Sequence, residues 1–508
     1  MRTLNSLKNI ISNFANTLFF NILKFLSRII FIKFLNDTYL GINGLLTNVL
    51  GLLALSELGI STAISYSLYK PLEEKNYSKI KSLMNFYKKA YFVIGIVILI
   101  MGLILLPFLP WFIKDTTGIE NLKLIYIIFL INMVIGYFFS YKRTLITADQ
   151  KSYKITPILM ISNLLLIISQ IIVLVLFKNY IEYLLVQTLF VLIENILVNK
   201  YINKEYPYLK EITKNDKLEK KELLDIKTNI KALFFHKIGT YVFNSTDNLV
   251  ISKFISIQMV GIYSNYYLIV YMVNTFISTL TNNVVASLGN LLVSKNSNKK
   301  VQVFNEMNFI CYILYGFSSI CLFALFQPFI EFCFGSNYLI SMGAVILIAF
   351  NSFISGITSV SITYMSASGL YVKDQYIPIL QSIINIIVSV ILATKIGLAG
   401  VLIGTLVSNF LVFIIKPFIV YKYDLKIKFK LYFIDFFKKI IVLTFVSVLT
   451  ASIMYFVPID NLVFCIFYRL LAIIIIFFIT IYFVYRKDEN YLNVINRIKN
   501  MLPKRGKR

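Results

Sequence analysis

The residues best placed to do chemistry are ionisable and amide groups standing inside apolar runs, where each costs free energy and so needs a reason to be there. In the first run Asn13, Asn16, Thr17, Asn21, Lys24, Ser27 and Arg28 recur three and four apart. That spacing draws one polar stripe along a helix. In a second run Lys237, Thr240, Asn244, Asp247 and Asn248 do the same, and Glu57 stands in a third. The chemistry such stripes support is binding. Two such stripes turned toward a common space would line a hydrated cavity, with cationic character from the first. We therefore read Lys24, Arg28, Asn21, Lys237 and Asn244 as cavity-lining candidates for substrate, and Asp247 and Glu57 as candidate functional carboxylates, of the kind that could gate the cavity.

Other readings stay open at several positions. Arg28 lies about 7 Å from the end of its run at 1.5 Å per residue, within reach of headgroups by snorkelling. Glu57 can face a cavity or an interface. His236 reads as a structural, hydrogen-bonded histidine, and Arg469 as a side chain that snorkels or meets lipid phosphate. Asn265, Asn274, Ser278 and Asn282 can recognise hydroxyls or hold helices together.

Catalytic constellations are missing from the sequence. There is one histidine, no HExxH and no GxxxxGK[ST], so neither a zinc hydrolase nor a nucleotide hydrolase is expected. The four cysteines (Cys311, Cys321, Cys333, Cys465) match no metal or disulfide spacing and read as packing residues. No metal and no cofactor is called for.

The elements that must position these groups follow from composition. Hydrophobic residues make up 58% of the 508 and charged residues 15%, below the quarter a soluble surface needs. Apolar runs recur at roughly 10–34, 41–68, 90–110, 122–141, 155–177, 181–199, 231–252, 258–291, 303–331, 338–369, 376–394, 398–415, 440–457 and 461–485. An all-α, polytopic membrane protein of about fourteen transmembrane helices is expected. The first run lacks a small-residue cleavage site after it and reads as a retained span. The run 338–369, with Gly343, Gly356 and Gly369, is expected to tilt or break.

The net charge of +26 has a topological explanation. With the N-terminus inside, 40 basic residues fall on the cytoplasmic side against six outside. That is the positive-inside bias of an even number of spans with both termini cytoplasmic. Nucleic acid is not needed as a partner; membrane lipid is.

The charged stretch 203–230 separates spans 1–6 (an N-lobe, 1–202) from spans 7–12 (a C-lobe, 231–418), leaving spans 13–14 and a basic cytoplasmic tail in 419–508. Offsetting the chain by 220 residues superposes Lys33-Phe34 on Lys253-Phe254 and Gly41-Ile42 on Gly261-Ile262. There are seven identities in 34 ungapped positions. The offset also lays the two polar stripes over each other, Lys24 on Asn244 and Arg28 on Asn248. A parallel pseudo-two-fold between lobes, with a site between repeats, is the expectation.

The stretch SELGISTAISYSLYKPLEEKN at 56–76, continuing YSKIKSLMNFYKKAYFVIG, resembles a known family. So do FIKFLNDTYLGINGLLTNVL before it and STDNLVISKFISIQMVGIYSNYYLIV at 245–270. The resemblance is to the polysaccharide transporters (Wzx-type flippases) of the multidrug/oligosaccharidyl-lipid/polysaccharide exporter superfamily. It implies two six-helix lobes around a central cavity, with two extra C-terminal helices. It also implies a substrate: an undecaprenyl-pyrophosphate-linked oligosaccharide repeat unit for capsule or exopolysaccharide, flipped across the cytoplasmic membrane by alternating access. By the same resemblance Lys24 and Arg28 match cavity cations that contact pyrophosphate, and Asp247 is the nearest match to an ion-coupling carboxylate. A coupling cation (Na+ or H+) and other polysaccharide-assembly membrane proteins are the remaining partners implied. Competing readings are a lipid II flippase, a cation-coupled small-molecule exporter, which would want an acidic cavity, and a membrane polysaccharide polymerase or ligase, which would want a large outer loop.

Overall fold

The computed structural model describes residues 2–57, 60–115, 119–211, 218, 238–292, 297–368, 370–457 and 459–501. Among these, the side chains of 2–16, 18, 55–56, 60–63, 211, 280, 282–292, 297, 367, 371–372 and 498–501 are outside the description. Among the described residues the chain is helical, with no strand. Its main helices are α1 (Arg2–Phe34), α2 (Asp37–Leu53), α3 (Ile60–Glu73), α4 (Tyr77–Leu105), α5 (Leu122–Ala148), α6 (Thr156–Phe177), α7 (Tyr180–Glu205), α8 (238–250), α9 (Ile257–Leu292) and α10 (Ser297–Phe334). They continue with α11 (Met342–Ala367), α12 (Ile377–Ile396), α13 (Leu398–Val420), α14 (Lys430–Phe456), α15 (Leu462–Tyr485) and α16 (Glu489–Met501). The described part of each of the fourteen expected spans falls on these helices, with α2 and α3 sharing the second, 231–237 of the seventh lying outside the described residues, and α16 forming an amphipathic tail. Ten of the helices, among the described residues, are long and apolar enough to cross a membrane on their own.

Two spans differ from expectation in where they break. The run 338–369 holds an unbroken helix from Met342 to Ala367, flanked by 3-10 turns at Ser336–Tyr338 and Leu370–Asp374. Its Gly356 does not kink it. A side chain there would overlap the ring of Tyr315, so the glycine serves close packing on α10. The second span instead breaks: α2 ends in a 3-10 turn, Ala54–Glu57, before α3 begins. This places Glu57 at a break in a span.

The 220-residue repeat has a structural counterpart. Asn36 caps α2, its side chain accepting from Tyr39 N–H (3.3 Å). Its counterpart Ser256 sits in extended backbone and caps α9, accepting from Met259 N–H (3.1 Å). The caps break the helices after Lys33-Phe34 and Lys253-Phe254, because a side-chain oxygen takes over an N–H that the new helix cannot satisfy internally. One turn on, Gly41 and Gly261 cross. A Cβ on Gly41 would overlap the Ile257 carbonyl, and a Cβ on Gly261 would overlap the Asp37 carbonyl. Residues 37 and 257 are themselves 220 apart, so the crossing has local two-fold symmetry. α2 also receives α8 antiparallel: Asn248 lies over Gly44 and Tyr241 over Gly51, with the Tyr241 hydroxyl donating to the Asn48 carbonyl (3.3 Å).

The chain divides into two compact units, Met1–Ser264 with Pro378–Ser382, and Asn265–Ile377 with Ile383–Arg508. In the first, Lys114 N–H donates to the Ser252 carbonyl (3.1 Å) and Ser252 Oγ to the Phe112 carbonyl (2.9 Å). That ties the end of the third span to the end of α8. In the loop after α5, Lys151 bonds Asp149 (2.8 Å) and Glu205 (3.3 Å). Burial pushes this ammonium down, and the two carboxylates outweigh that, holding it above its ordinary value.

The second unit is built on an aromatic core shared by α10, α11, α13, α14 and α15, including Phe304, Tyr312, Phe353, Tyr364, Phe413 and Phe477. Arg469, expected to snorkel or meet lipid phosphate, donates through Nη1 to the Ala324 carbonyl at 3.0 Å. Pro328, four residues on, has no N–H to give that carbonyl, and Arg469 on α15 replaces the missing donor. Lys416 and Asp374 form a buried pair at 2.9 Å, their side chains 6% and 4% exposed. Lys300 (2.7 Å) and Tyr364 both bond Asp424. α16 is held to α10 by Arg497 on Glu306 (2.6 Å) and by Tyr491 on Phe309.

Candidate substrate site

Lys24 is exposed on α1, one turn before Arg28, with Asn21 half-buried beside it. On the same helix Ser27 is buried. Asn244 and Thr240, four apart on α8, are both exposed, while Asp247 and Asn248 are half-buried. Lys237 and His236 lie outside the described residues, as do the side chains of Asn13, Asn16 and Asn282. Of the remaining amides on α9, Asn265 is buried and Asn274 accepts from Ser352 Oγ (3.2 Å). That is the helix-joining alternative for Asn274.

The structure brings two of the candidates to one place. Arg28 donates through Nη1 to the Ser264 carbonyl (2.7 Å) and to Ser264 Oγ (3.2 Å). Asp247 accepts from the Tyr263 hydroxyl (3.3 Å). Tyr263 and Ser264 are consecutive, so α1 and α8 place their charged groups on the same turn of α9. By helix rise this turn lies about 10 Å below the Ser256 cap. Arg28 also has an aromatic surround from α7. Tyr183 lies close enough to interact with its charge, and Phe31 meets the rings of Tyr180 and Tyr183 at 5.8 and 5.3 Å. A guanidinium fixed this way is planar, always charged and pre-oriented for an oxyanion.

Glu57 is not on that turn. It accepts from Tyr91 of α4 (2.9 Å) and from Tyr137 of α5. The two phenols neutralise no charge but hydrogen-bond the carboxylate, making Glu57 a hydrogen-bonded acid at the break in span 2.

One polar centre was missed in the sequence. Arg143 pairs with Glu194 of α7 at 2.7 Å and with Asn195 at 3.1 Å, and Asn163 of α6 donates to the other Glu194 oxygen at 3.2 Å. Its signal was present as the lone acid in the apolar run FVLIENILVN. Reading Arg143 as a topological charge hid its partner.

A cavity of about 400 Å³ opens in the second unit between α10, α11 and α14. It is walled by Ile320, Phe323, Ile346, Phe350, Leu443 and Val448, and by small residues such as Gly316 and Ala451. Its surface is almost wholly apolar and suits a hydrocarbon chain.

Comparison with known proteins places this geometry. The sequence matches the family described as polysaccharide biosynthesis protein over residues 6–286. No curated protein sequence matches the chain. Among solved structures, the lipid II flippase MurJ in an inward closed conformation is similar with a TM-score of 0.72 at 15% identity, covering 95% of this chain and 99% of its own. An inward-facing multidrug resistance MATE family transporter of the MOP superfamily is similar with a TM-score of 0.62 at 14% identity, covering 80% of this chain and 96% of its own. A MOP superfamily transporter from Pyrococcus furiosus, reported to have a binding pocket of reverse polarity, has a TM-score of 0.55 at 13% identity over 84% of this chain and 96% of its own. At these identities the likeness is one of fold. The family match covers more than half of the 508 residues, and the chain belongs to the polysaccharide biosynthesis protein family, as a multi-pass membrane protein with the MOP transporter fold.

Proposed function

We propose that this protein is a flippase that carries an undecaprenyl-pyrophosphate-linked oligosaccharide repeat unit across the cytoplasmic membrane for capsular or exopolysaccharide synthesis. The observation that carries the reading is the pair Lys24 and Arg28, one turn apart on a membrane helix of a polysaccharide-biosynthesis chain with a transporter fold. A pyrophosphate cannot enter a bilayer uncompensated. An exposed ammonium beside a fixed guanidinium supplies the compensation, and Asn21 and Asn244 offer amides to sugar hydroxyls. The apolar cavity against α14 suits part of a polyprenyl chain.

In this reading Arg28 and Asp247, both attached to the Tyr263–Ser264 turn, form a latch. Pyrophosphate competes for Arg28, frees the turn, and couples loading to opening of the opposite side. Glu57 and Asp247 are the carboxylates available to a coupling proton or sodium ion. The N-lobe, linker and C-lobe division at 203–230 belongs to the same reading, with both termini cytoplasmic.

The test is Lys24→Ala. Polymer export is expected to be lost while membrane abundance stays unchanged and lipid-linked units accumulate on the cytoplasmic side. Normal export from Lys24→Glu would overturn the reading. A second substrate, the murein precursor, is favoured by the MurJ-like fold over 95% of the chain. Complementation of cells lacking their lipid II flippase separates the two, because only a murein carrier restores growth.

A further inference from the structure

A second basic site lies in the first unit, on elements that contribute nothing to the α1 and α8 stripes. The ends of α4, α5 and α7, with the turn after α7, enclose a cavity of about 860 Å³. Lys88 and Lys89 of α4, Lys142 of α5 and Lys210 of the turn line it, with Asn85, Asn199 and Asn203 offering amides. Among the described residues, no carboxylate lines it. The nearby acids on α7 are already engaged: Glu194 by Arg143 (2.7 Å) and Glu205 by Lys154 (2.6 Å). Lys142 stands close enough to Lys88 for the two ammonium groups to repel. Lys142 is also oriented, donating to Asn203 Oδ1 at 2.9 Å. Concentrating like charges around an open space costs free energy unless an anion occupies it.

Much of the remaining lining is aromatic: Phe92, Phe138, Phe139 and Tyr141. Phe92 is 55% and Phe138 36% exposed, and their rings stack with centroids 5.5 Å apart. Exposed apolar residues continue down α4 from this wall through Val93, Val97 and Ile100. A free anion has no use for that surface. A headgroup with acyl chains fills both parts, and basic pockets between helix ends at a membrane surface have the chemistry to take anionic lipid heads.

We propose that this cavity binds one anionic glycerophospholipid, its phosphate among Lys88, Lys89 and Lys142 and its chains along Phe92 and Phe138. The site ties the α4, α5 and α7 ends to the anionic leaflet and stands independently of which lipid-linked sugar is carried.

The experiment is native mass spectrometry of the full chain released from phosphatidylcholine bilayers containing graded phosphatidylglycerol. One phosphatidylglycerol is expected to be retained in preference to phosphatidylcholine. Lys88→Gln with Lys89→Gln, both on exposed positions, is expected to weaken that retention about 30-fold, from roughly fivefold per lysine. Lys428→Gln with Lys430→Gln, two exposed lysines elsewhere, is expected to leave it unchanged. Equal losses from the two pairs would mean diffuse charge attraction and overturn the site. Displacement of the lipid by millimolar inorganic phosphate would show a free-anion site and overturn the lipid assignment.

Discussion

Replacing Gly41 or Gly261 by alanine is expected to force apart the crossing of α2 and α9. The added methyl meets backbone atoms at both positions, and backbone cannot rotate aside as a side chain can. At Gly41 the new Cβ would stand 2.9 Å from the Ile257 carbonyl carbon, and at Gly261 3.1 Å from the Asp37 carbonyl carbon and 3.2 Å from the Gly41 nitrogen. Ordinary contact begins near 3.4 Å and the carbonyl oxygens lie nearer still, so the helices must separate by about an ångström or more. Overpacking of this kind costs about 1–3 kcal/mol. Each single variant should therefore unfold earlier in detergent by that amount. The symmetry of the crossing makes a sharper forecast. One separation relieves both clashes, so the double variant should cost little more than the worse single, instead of their sum. The assay is chemical or thermal unfolding of purified protein, read by tryptophan fluorescence at Trp111, the single tryptophan. Costs below about 0.5 kcal/mol, or strict additivity, would refute the claim that the two glycines make one symmetric contact.

Other substitutions test other parts of the structure. Arg469→Met should destabilise by about 1–3 kcal/mol, because it strands the Ala324 carbonyl that Pro328 leaves without a donor; unchanged stability would show another donor takes its place. Lys416→Met should cost about 3–5 kcal/mol by leaving Asp374 charged and buried, and adding Asp374→Leu should recover most of it in equilibrium unfolding. Swapping the latch charges, Arg28→Asp and Asp247→Arg, should impair transport singly, with the double swap restoring cross-linking of the closed state but not flipping. Restored flipping would mean that neither charge meets substrate. In a cysteine-free background, Lys210→Cys should label only from the cytoplasm and Ser336→Cys only from outside; the reverse would invert the topology.

Most of the architecture was legible because membrane solvent imposes a simple rule. Every backbone polar group must be satisfied internally, so long apolar runs become helices. Fourteen runs and their order therefore emerge from hydropathy alone, and the 220-residue offset emerges because capping and close crossing demand particular residues. Asn36 and Ser256 are both cap formers, and Gly41 and Gly261 are both small where backbones touch. What hydropathy cannot convey is which polar group meets which. Nothing near Arg469 in the sequence names the carbonyl it meets, which is left without a donor by a proline 141 positions away in the chain. Glu194 looked like one acid in an apolar run until α5 delivered Arg143. Lys88, Lys142 and Lys210 looked like separate topological charges, and only helix packing gathers them around one space. Charge type and spacing along a helix are local properties and survive in one dimension. Pairing is decided by rotation and depth of neighbouring helices, which depend on contacts made across the whole packed unit.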